Sequence, residues 1–179
     1  AYHGMHTAGT SLAGIPANAT GHGELIEDVT EVPWNDADAL RAAIETDGPG
    51  RVAAFFCEPV IGAGGVFPPP PGYLEAAREV CREFEVLFVA DEVITGFGRT
   101  GDWFASSRFG LDPDIVTCAK GITSGYLPMG GVIARQDIYE AFMQGPDYAV
   151  ELFHGYTYSG HPLAVAAALP GGDPLAEAL

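Results

Sequence analysis

Three charged residues stand directly after short apolar runs and could act together. Glu58 follows VAAFFC, Asp91 follows VLFVA, and Lys120 follows IVTCA. Lys120 is the only lysine in the chain, because the other seven of its eight basic residues are arginines. A biased genome or salt adaptation would explain the missing lysines but not the one that is kept. Since a guanidinium cannot lose its proton and attack a carbonyl, Lys120 is a candidate nucleophile.

The pairing of one lysine with one carboxylate indicates a particular chemistry. A lysine whose ammonium pKa is lowered by burial or by neighbours can form a Schiff base with a carbonyl compound. Pyridoxal phosphate (PLP) uses such a lysine and needs an Asp or Arg partner at its pyridine nitrogen. Lys120 and Asp91 are residues of the two types that PLP requires.

The elements around these residues predict an α/β fold. The apolar runs at 52–57, 86–90 and 115–119 are typical of buried strands, and 130–134 is a possible fourth strand. The segment 72–85 has helical spacing after a run of prolines. An earlier helix, with Ala37, Leu40 and Ile44 on its apolar face, could be capped by Asn35.

Strands that alternate with helices predict a mostly parallel sheet with helices on both faces. Ligands of such sheets bind outside the carboxyl ends of the strands. We therefore expect Glu58, Asp91 and Lys120 to lie around one crevice.

A G-x-G-x-x-G pattern occurs at Gly96, Gly98 and Gly101. In a dinucleotide-binding fold these glycines would follow the strand immediately and open an apolar helix. Here Asp91 to Thr95 intervene, and no clear helical pattern follows. We interpret the glycines as turn-forming residues.

Composition narrows the remaining classes of function. The formal net charge of −16 argues against nucleic acid or an anionic membrane as a partner. Three cysteines among apolar residues favour reduced thiols and a cytoplasmic protein. His3 and His6 form an H-x-x-H pattern without a third ligand at useful spacing, so no metal site is predicted.

Longer motifs resemble a known family. The stretches VADEVITGFGRTG, PDIVTCAKGITSGYLPMGGVIA and HGYTYSGHPLA are similar to those of class III aminotransferases, which are PLP enzymes of fold type I. Within that family, AYHGMHTAGTSLAGIPAN and AVELFHGYTYSGHP most resemble β-alanine–pyruvate or ω-amino acid–pyruvate aminotransferases. The resemblance implies the central part of a fold type I large domain.

The resemblance also implies roles for single residues. Lys120 resembles the lysine that binds PLP covalently and then carries the proton of the substrate Cα. Asp91 resembles the carboxylate paired with the pyridine nitrogen. Val93 and Tyr2 resemble the residues on the two faces of the cofactor ring.

Two further cofactor-binding residues are implied by the same family. Glu58, in a Glu-Pro motif, resembles an active-site carboxylate near the aspartate. Thr157 resembles a threonine that reaches the cofactor phosphate from the neighbouring subunit. The partners implied are therefore a second copy of the chain, as a homodimer or a dimer of dimers, an amino donor and a keto acid.

The extent of the resemblance predicts an internal piece of a longer enzyme. Residues 1–169 correspond to part of the large PLP-binding domain, and residues 170–179 form an aberrant or truncated tail. The family's phosphate loop would precede residue 1, and its small domain would follow the tail, so both are expected to be absent.

Three functions remain open from the sequence. The first is transamination from an ω-amino acid or amine to pyruvate. The second is PLP-dependent isomerisation or decarboxylation by an aminomutase or decarboxylase of the same family. The third is a non-catalytic, truncated remnant that does not hold the cofactor.

Overall fold

The computed structural model of the chain describes residues 1–149 and 152–169; the tail predicted at 170–179 lies outside them. Seven α-helices, one 3₁₀ helix and four strands are present in this part of the chain. None of these helices combines the length and the apolar character needed to cross a membrane. The elements are α1 (Thr7–Leu12), α2 (Pro16–Ala19), α3 (Ala37–Asp47), β1 (Ala54–Cys57), α4 (Tyr73–Glu83), β2 (Leu87–Asp91), α5 (Ala105–Arg108), β3 (Ile115–Cys118), the 3₁₀ helix (Lys120–Thr123), β4 (Gly131–Ala134), α6 (Gln136–Phe142) and α7 (Pro162–Ala168).

The four strands form one sheet in the order β1-β2-β3-β4. β1, β2 and β3 are parallel, and β4 is antiparallel to β3. The α/β class and the mostly parallel sheet predicted from the sequence are thus confirmed. The possible fourth strand at 130–134 is also present.

The core lies between one face of the sheet and helices α3 and α4. Phe55 and Phe88 from the strands belong to the same buried cluster as Ile44 of α3 and Leu74 and Cys81 of α4. The side chains of a strand alternate between its two faces. The residues between these core positions therefore face the other side of the sheet.

The cap of α3 differs by one residue from the sequence prediction. Asp36, and not Asn35, is the N-cap, and its side chain accepts the backbone N–H of Ala39 at 2.8 Å. Asn35 instead adopts a left-handed conformation with φ of +68°. Asn tolerates that region better than most residues, so it turns the chain and leaves the cap to Asp36.

A buried ion pair lies at the amino ends of β2 and β3. Arg78 of α4 donates to both carboxylate oxygens of Asp114, at 2.8 and 3.1 Å, and both side chains are 5% exposed. Asp114 also accepts the N–H of Phe88 at 2.7 Å. This network lies at the end of the sheet opposite to Glu58 and Asp91.

The glycine pattern after β2 forms turns, as predicted. Gly98 and Gly101 have φ of +86° and +100°, a region that is costly for other residues. The next helix, α5, begins only at Ala105 and has four residues. The dinucleotide-binding interpretation therefore lacks its helix.

Candidate active site

The register of the strands brings the three predicted residues to one edge of the sheet. Cys57 pairs with Ala90, so Glu58 and Asp91 follow neighbouring positions of β1 and β2. Asp91 itself pairs with Thr117 of β3. Lys120 follows soon after Thr117, as the first residue of the 3₁₀ helix. The three residues thus lie at or just after the carboxyl ends of neighbouring parallel strands, whereas their grouping around one crevice stays a prediction.

Asp91 is buried and its orientation is fixed by two contacts. Its Oδ2 lies 2.7 Å from Nδ1 of His3, and its Oδ1 accepts the backbone N–H of Val93 at 3.0 Å. The side chains of His3 and Asp91 are 4% and 9% exposed. Because a carboxylate only accepts hydrogen bonds, Nδ1 of His3 is the donor. The carboxylate keeps further lone pairs for another donor.

Glu58 is buried at the end of β1, and backbone donors occupy both of its oxygens. The N–H of Tyr2 donates to Oε1 at 2.8 Å, and the N–H of Gly62 donates to Oε2 at 2.8 Å. Pro59 follows Glu58 and disfavours a helical conformation for it, so the chain continues outward from the strand. These contacts bring the first residues of the chain to the strand ends.

Lys120 is exposed, and its backbone is held in an unfavourable conformation. Its φ of +45° lies in the left-handed region, which costs a non-glycine residue about 1–2 kcal/mol. The next residue, Gly121, packs against the turn that follows β2: a Cβ placed there would lie 2.9 Å from Cβ of Phe97. The glycine turns thus support the segment that presents the lysine amine.

Comparison with known proteins assigns this arrangement to a family. Residues 1–171 match the family model described as Aminotransferase class-III. The ω-amino acid–pyruvate aminotransferase of Pseudomonas putida is 45% identical over 94% of this chain and 42% of its own length. The β-alanine–pyruvate aminotransferase of Pseudomonas aeruginosa is 42% identical over 98% of this chain and 44% of its own length.

A solved structure agrees with these relatives. The transaminase of a marine Virgibacillus superposes with a TM-score of 0.88 at 48% identity, covering 94% of this chain and 39% of that one. The chain belongs to the class III aminotransferase family. It spans about four tenths of the length of the relatives that it matches.

Other residues carried over from this family lie in two different settings. Tyr2 and Val93 are half-buried beside Glu58 and Asp91. Thr157 stands apart, in an exposed turn at 157–160. The helix after that turn, α7, packs against the 3₁₀ helix that begins at Lys120. Within the described residues, no hydrogen bond joins Thr157 to Glu58, Asp91 or Lys120. Its contact with the cofactor phosphate stays a prediction.

His3 was not predicted as a site residue from the sequence. An H-x-x-H pattern is found in metal sites, but the two histidines here have separate partners. His3 contacts Asp91, and His6 accepts the N–H of Gly9 to cap α1. Across residues 1–149 and 152–169 there is no cluster of three or more His, Cys, Asp or Glu side chains that could hold a metal ion. The one sequence feature that could have indicated His3 as a site residue is its position directly after Tyr2 in the family motif.

Glu92 is the second residue that sequence reasoning missed. It is fully buried, and its carboxylate accepts the N–H of Ala105 at 2.9 Å and the N–H of Ser106 at 2.7 Å. The hydroxyl of Thr95 donates to it at 2.5 Å, and the hydroxyl of Ser106 donates as well. Glu92 thus fastens both ends of the glycine turn that supports Gly121.

The neighbouring cysteines are not suited to nucleophilic chemistry. Burial raises the pKa of the Cys57 thiol, and it also raises the pKa of the Cys118 thiol. Both thiols are therefore protonated at neutral pH, and the thiolate is the reactive form. Lys120 remains the candidate nucleophile at this edge of the sheet.

Proposed function

We propose that the protein carrying this chain is a PLP-dependent aminotransferase that moves an amino group from an ω-amino acid or amine to pyruvate. The observation that carries the proposal is the buried Asp91 carboxylate, oriented by His3 at the sheet edge where Lys120 is presented. The names of the two Pseudomonas relatives, which both specify pyruvate, support the choice of acceptor.

The donor set of the site fits PLP. A buried carboxylate with free lone pairs is suited to a protonated pyridine nitrogen, and an exposed primary amine is suited to the cofactor's aldehyde. Bound PLP supplies an electron sink for the carbanion formed at the substrate. In the proposal Lys120 and Asp91 hold the cofactor, and Val93 and Tyr2 lie on the two faces of its ring.

The chain's own residues then have separate tasks. Lys120 Nζ, as a free amine, is the general base that carries the proton of the substrate Cα. Asp91 keeps the pyridine nitrogen protonated, and His3 keeps the carboxylate in place. The proposal places Glu58 beside Asp91 and assigns the cofactor phosphate to Thr157 of a neighbouring copy.

We further propose that the full-length protein carrying this chain is a homodimer or a dimer of dimers. Thr157 has several exposed aromatic residues near it in the sequence, and aromatic residues are enriched in protein–protein interfaces. Sedimentation of the intact protein tests the proposal, since a monomer would contradict it. The exposed side chains are Tyr148 (91%), Phe153 (90%), Tyr156 (75%) and Tyr158 (77%).

The domain assignment and the compartment complete the proposal. Residues 1–169 form part of the large, cofactor-binding domain, which is consistent with the share of each relative that the chain covers. The three cysteines are free and buried. Free thiols are typical of a reducing compartment, which supports a cytoplasmic protein.

Direct assay of amino transfer tests the proposed reaction. The intact protein, loaded with PLP, is incubated with β-alanine and pyruvate, and alanine is measured. We expect alanine to form and its rate to fall on the order of 10²–10⁴-fold in Lys120→Ala. Lys120→Arg, which keeps the positive charge but not the nucleophile, should lose activity as well.

Other products would favour the other two functions. Carbon dioxide or an isomerised amino acid, formed without consumption of pyruvate, would favour a decarboxylase or an aminomutase. Failure of the intact protein to take up PLP would favour a non-catalytic remnant.

A further inference from the structure

Two carboxylates hold the first residues of the chain across the ends of two strands. Glu58, after β1, accepts the N–H of Tyr2 at 2.8 Å. Asp91, the last residue of β2, contacts the ring of His3 at 2.7 Å. Adjacent residues of one segment are thus fastened to adjacent strands. The Tyr2 contact is made through the backbone, so it fixes the chain from which the aromatic ring extends.

The carboxylate of Glu58 is committed to the protein backbone. Its other oxygen accepts the N–H of Gly62 at 2.8 Å, and the residue is only 7% exposed. A buried carboxylate is costly unless hydrogen bonds compensate it, and each oxygen here has one neutral donor. The two contacts account for a buried charge at this place without any contact to a ligand.

The same segment is confined on its other side by α1. A Cβ added to Gly9 would lie 2.4 Å from the carbonyl oxygen of His3 and 3.0 Å from Cα of Gly4. The backbone of residues 3–4 therefore packs directly on the helix. With α1 on one side and the two carboxylates on the other, Tyr2 has little freedom to shift.

We propose that Glu58 is a positioning residue for Tyr2. Through the N–H of Tyr2 it sets where the aromatic ring lies against the cofactor, and it does not itself touch the cofactor. The inference rests on the proposed function, in which Tyr2 covers one face of PLP. It gives the buried charge of Glu58 a task different from that of Asp91.

Glu58→Gln tests this inference with nearly the same shape. Gln has one acceptor oxygen, so it cannot satisfy both N–H groups. In the cofactor-free protein, we expect amide exchange measured by NMR to accelerate roughly ten- to a hundredfold at Tyr2, Gly62 or both. In the PLP-loaded protein, we expect the visible circular dichroism of the cofactor to change in each variant whose Tyr2 amide exchange is accelerated, because the stacked ring has then moved. Glu58→Ala, which removes both acceptors, should accelerate both amides.

Asp114→Asn is the matched control. Asp114 is also a buried carboxylate that accepts a backbone N–H, that of Phe88, but at the opposite end of the strands. Its variant should lose stability while the Tyr2 amide and the cofactor signal remain as in the wild type. If Asp114→Asn changed the Tyr2 exchange rate and the cofactor signal as Glu58→Gln does, a general loss of packing would explain both variants. That result would contradict a positioning role for Glu58.

Two other outcomes would overturn the inference. Unchanged exchange at Tyr2 in Glu58→Ala would show that the carboxylate does not hold this segment. A changed cofactor signal with unchanged exchange would show that Glu58 contacts the cofactor directly. If the wild type takes up no PLP, the proposed function fails, whereas the exchange rates of the cofactor-free protein still decide whether Glu58 holds Tyr2.

Discussion

His3 Nδ1 lies 2.7 Å from Asp91 Oδ2, although the two residues are 88 positions apart in the chain. Both side chains are almost fully buried, and the ring of His3 packs edge-on against Phe56 at 6.1 Å between centroids. The contact therefore fixes the carboxylate on the face of the sheet opposite to the core. It joins the first residues of the chain to the edge where Lys120 is presented.

Removal of this contact should weaken the cofactor site. In His3→Ala, Asp91 loses a hydrogen bond to a charged group, worth about 1.5–3 kcal/mol. We expect the PLP dissociation constant of the intact protein to rise roughly 10- to 100-fold, as measured by titration of the apoprotein. His22→Ala, at an exposed histidine, is the control and should bind PLP as the wild type does. Equal affinity in His3→Ala would contradict the role of His3.

Gly121→Ala tests the support that the glycine turn gives to Lys120. The new Cβ would lie 2.9 Å from Cβ of Phe97 and 3.4 Å from the carbonyl oxygen of Gly96, so one of the two segments must move. We expect slower and less complete attachment of PLP, followed by absorbance after mixing. Gly145→Ala, where the new Cβ meets only Ala149 at an ordinary 3.7 Å, should attach PLP at the wild-type rate.

The strands of the sheet and the edge that carries the charged residues could be predicted from the sequence because they depend on local patterns. Continuous apolar runs indicated buried strands, and a charged residue after each run indicated a common edge. The strand pairing of Cys57 with Ala90 and of Asp91 with Thr117 confirms that edge. Residue positions that follow from the alternation of strands and helices along the chain could thus be predicted from the sequence.

The contacts of His3 and Glu92 could not be predicted in the same way. His3 meets Asp91 only after the helices and strands between them have folded, and no local sequence period reports such a contact. Glu92 comes directly after Asp91, the last residue of β2, and the alternation of the strand extends to it. One carboxylate therefore faces the site while the other is buried against α5. The local pattern shows two acidic residues but does not show which of them is buried against α5.

Removal of one partner of the ion pair between Arg78 and Asp114 should lower the stability strongly and leave the site intact. Asp114→Asn leaves a buried guanidinium without its counter-charge, because both side chains are 5% exposed. Loss of one partner of a buried pair costs about 3–5 kcal/mol. We expect the urea midpoint to fall accordingly, while PLP affinity, corrected for the folded fraction, is unchanged. A fall in that corrected affinity would contradict the separation of the two ends of the sheet.

The buried thiols should make the protein sensitive to alkali. Burial raises the pKa of the Cys57 thiol, and it raises the pKa of Cys81 to about 12. In the unfolded chain a thiol titrates near 8.5, so above that pH the unfolded state releases protons that the folded state keeps. The free energy of unfolding should therefore be constant with respect to these groups below pH 8.5 and decrease above it. Urea unfolding between pH 7 and 10 should show a shallower decrease in Cys57→Ala; an identical decrease would exclude Cys57 as a cause.

Reduction of the PLP-loaded protein with borohydride, followed by peptide mapping, tests the central claim most directly. The reduced cofactor becomes permanently attached to the amine that holds it. The account predicts that the added mass lies on the peptide containing Lys120, and that Lys120→Ala carries none. Added mass on any other peptide, or its persistence in Lys120→Ala, would contradict the assignment of Lys120 as the residue that binds PLP.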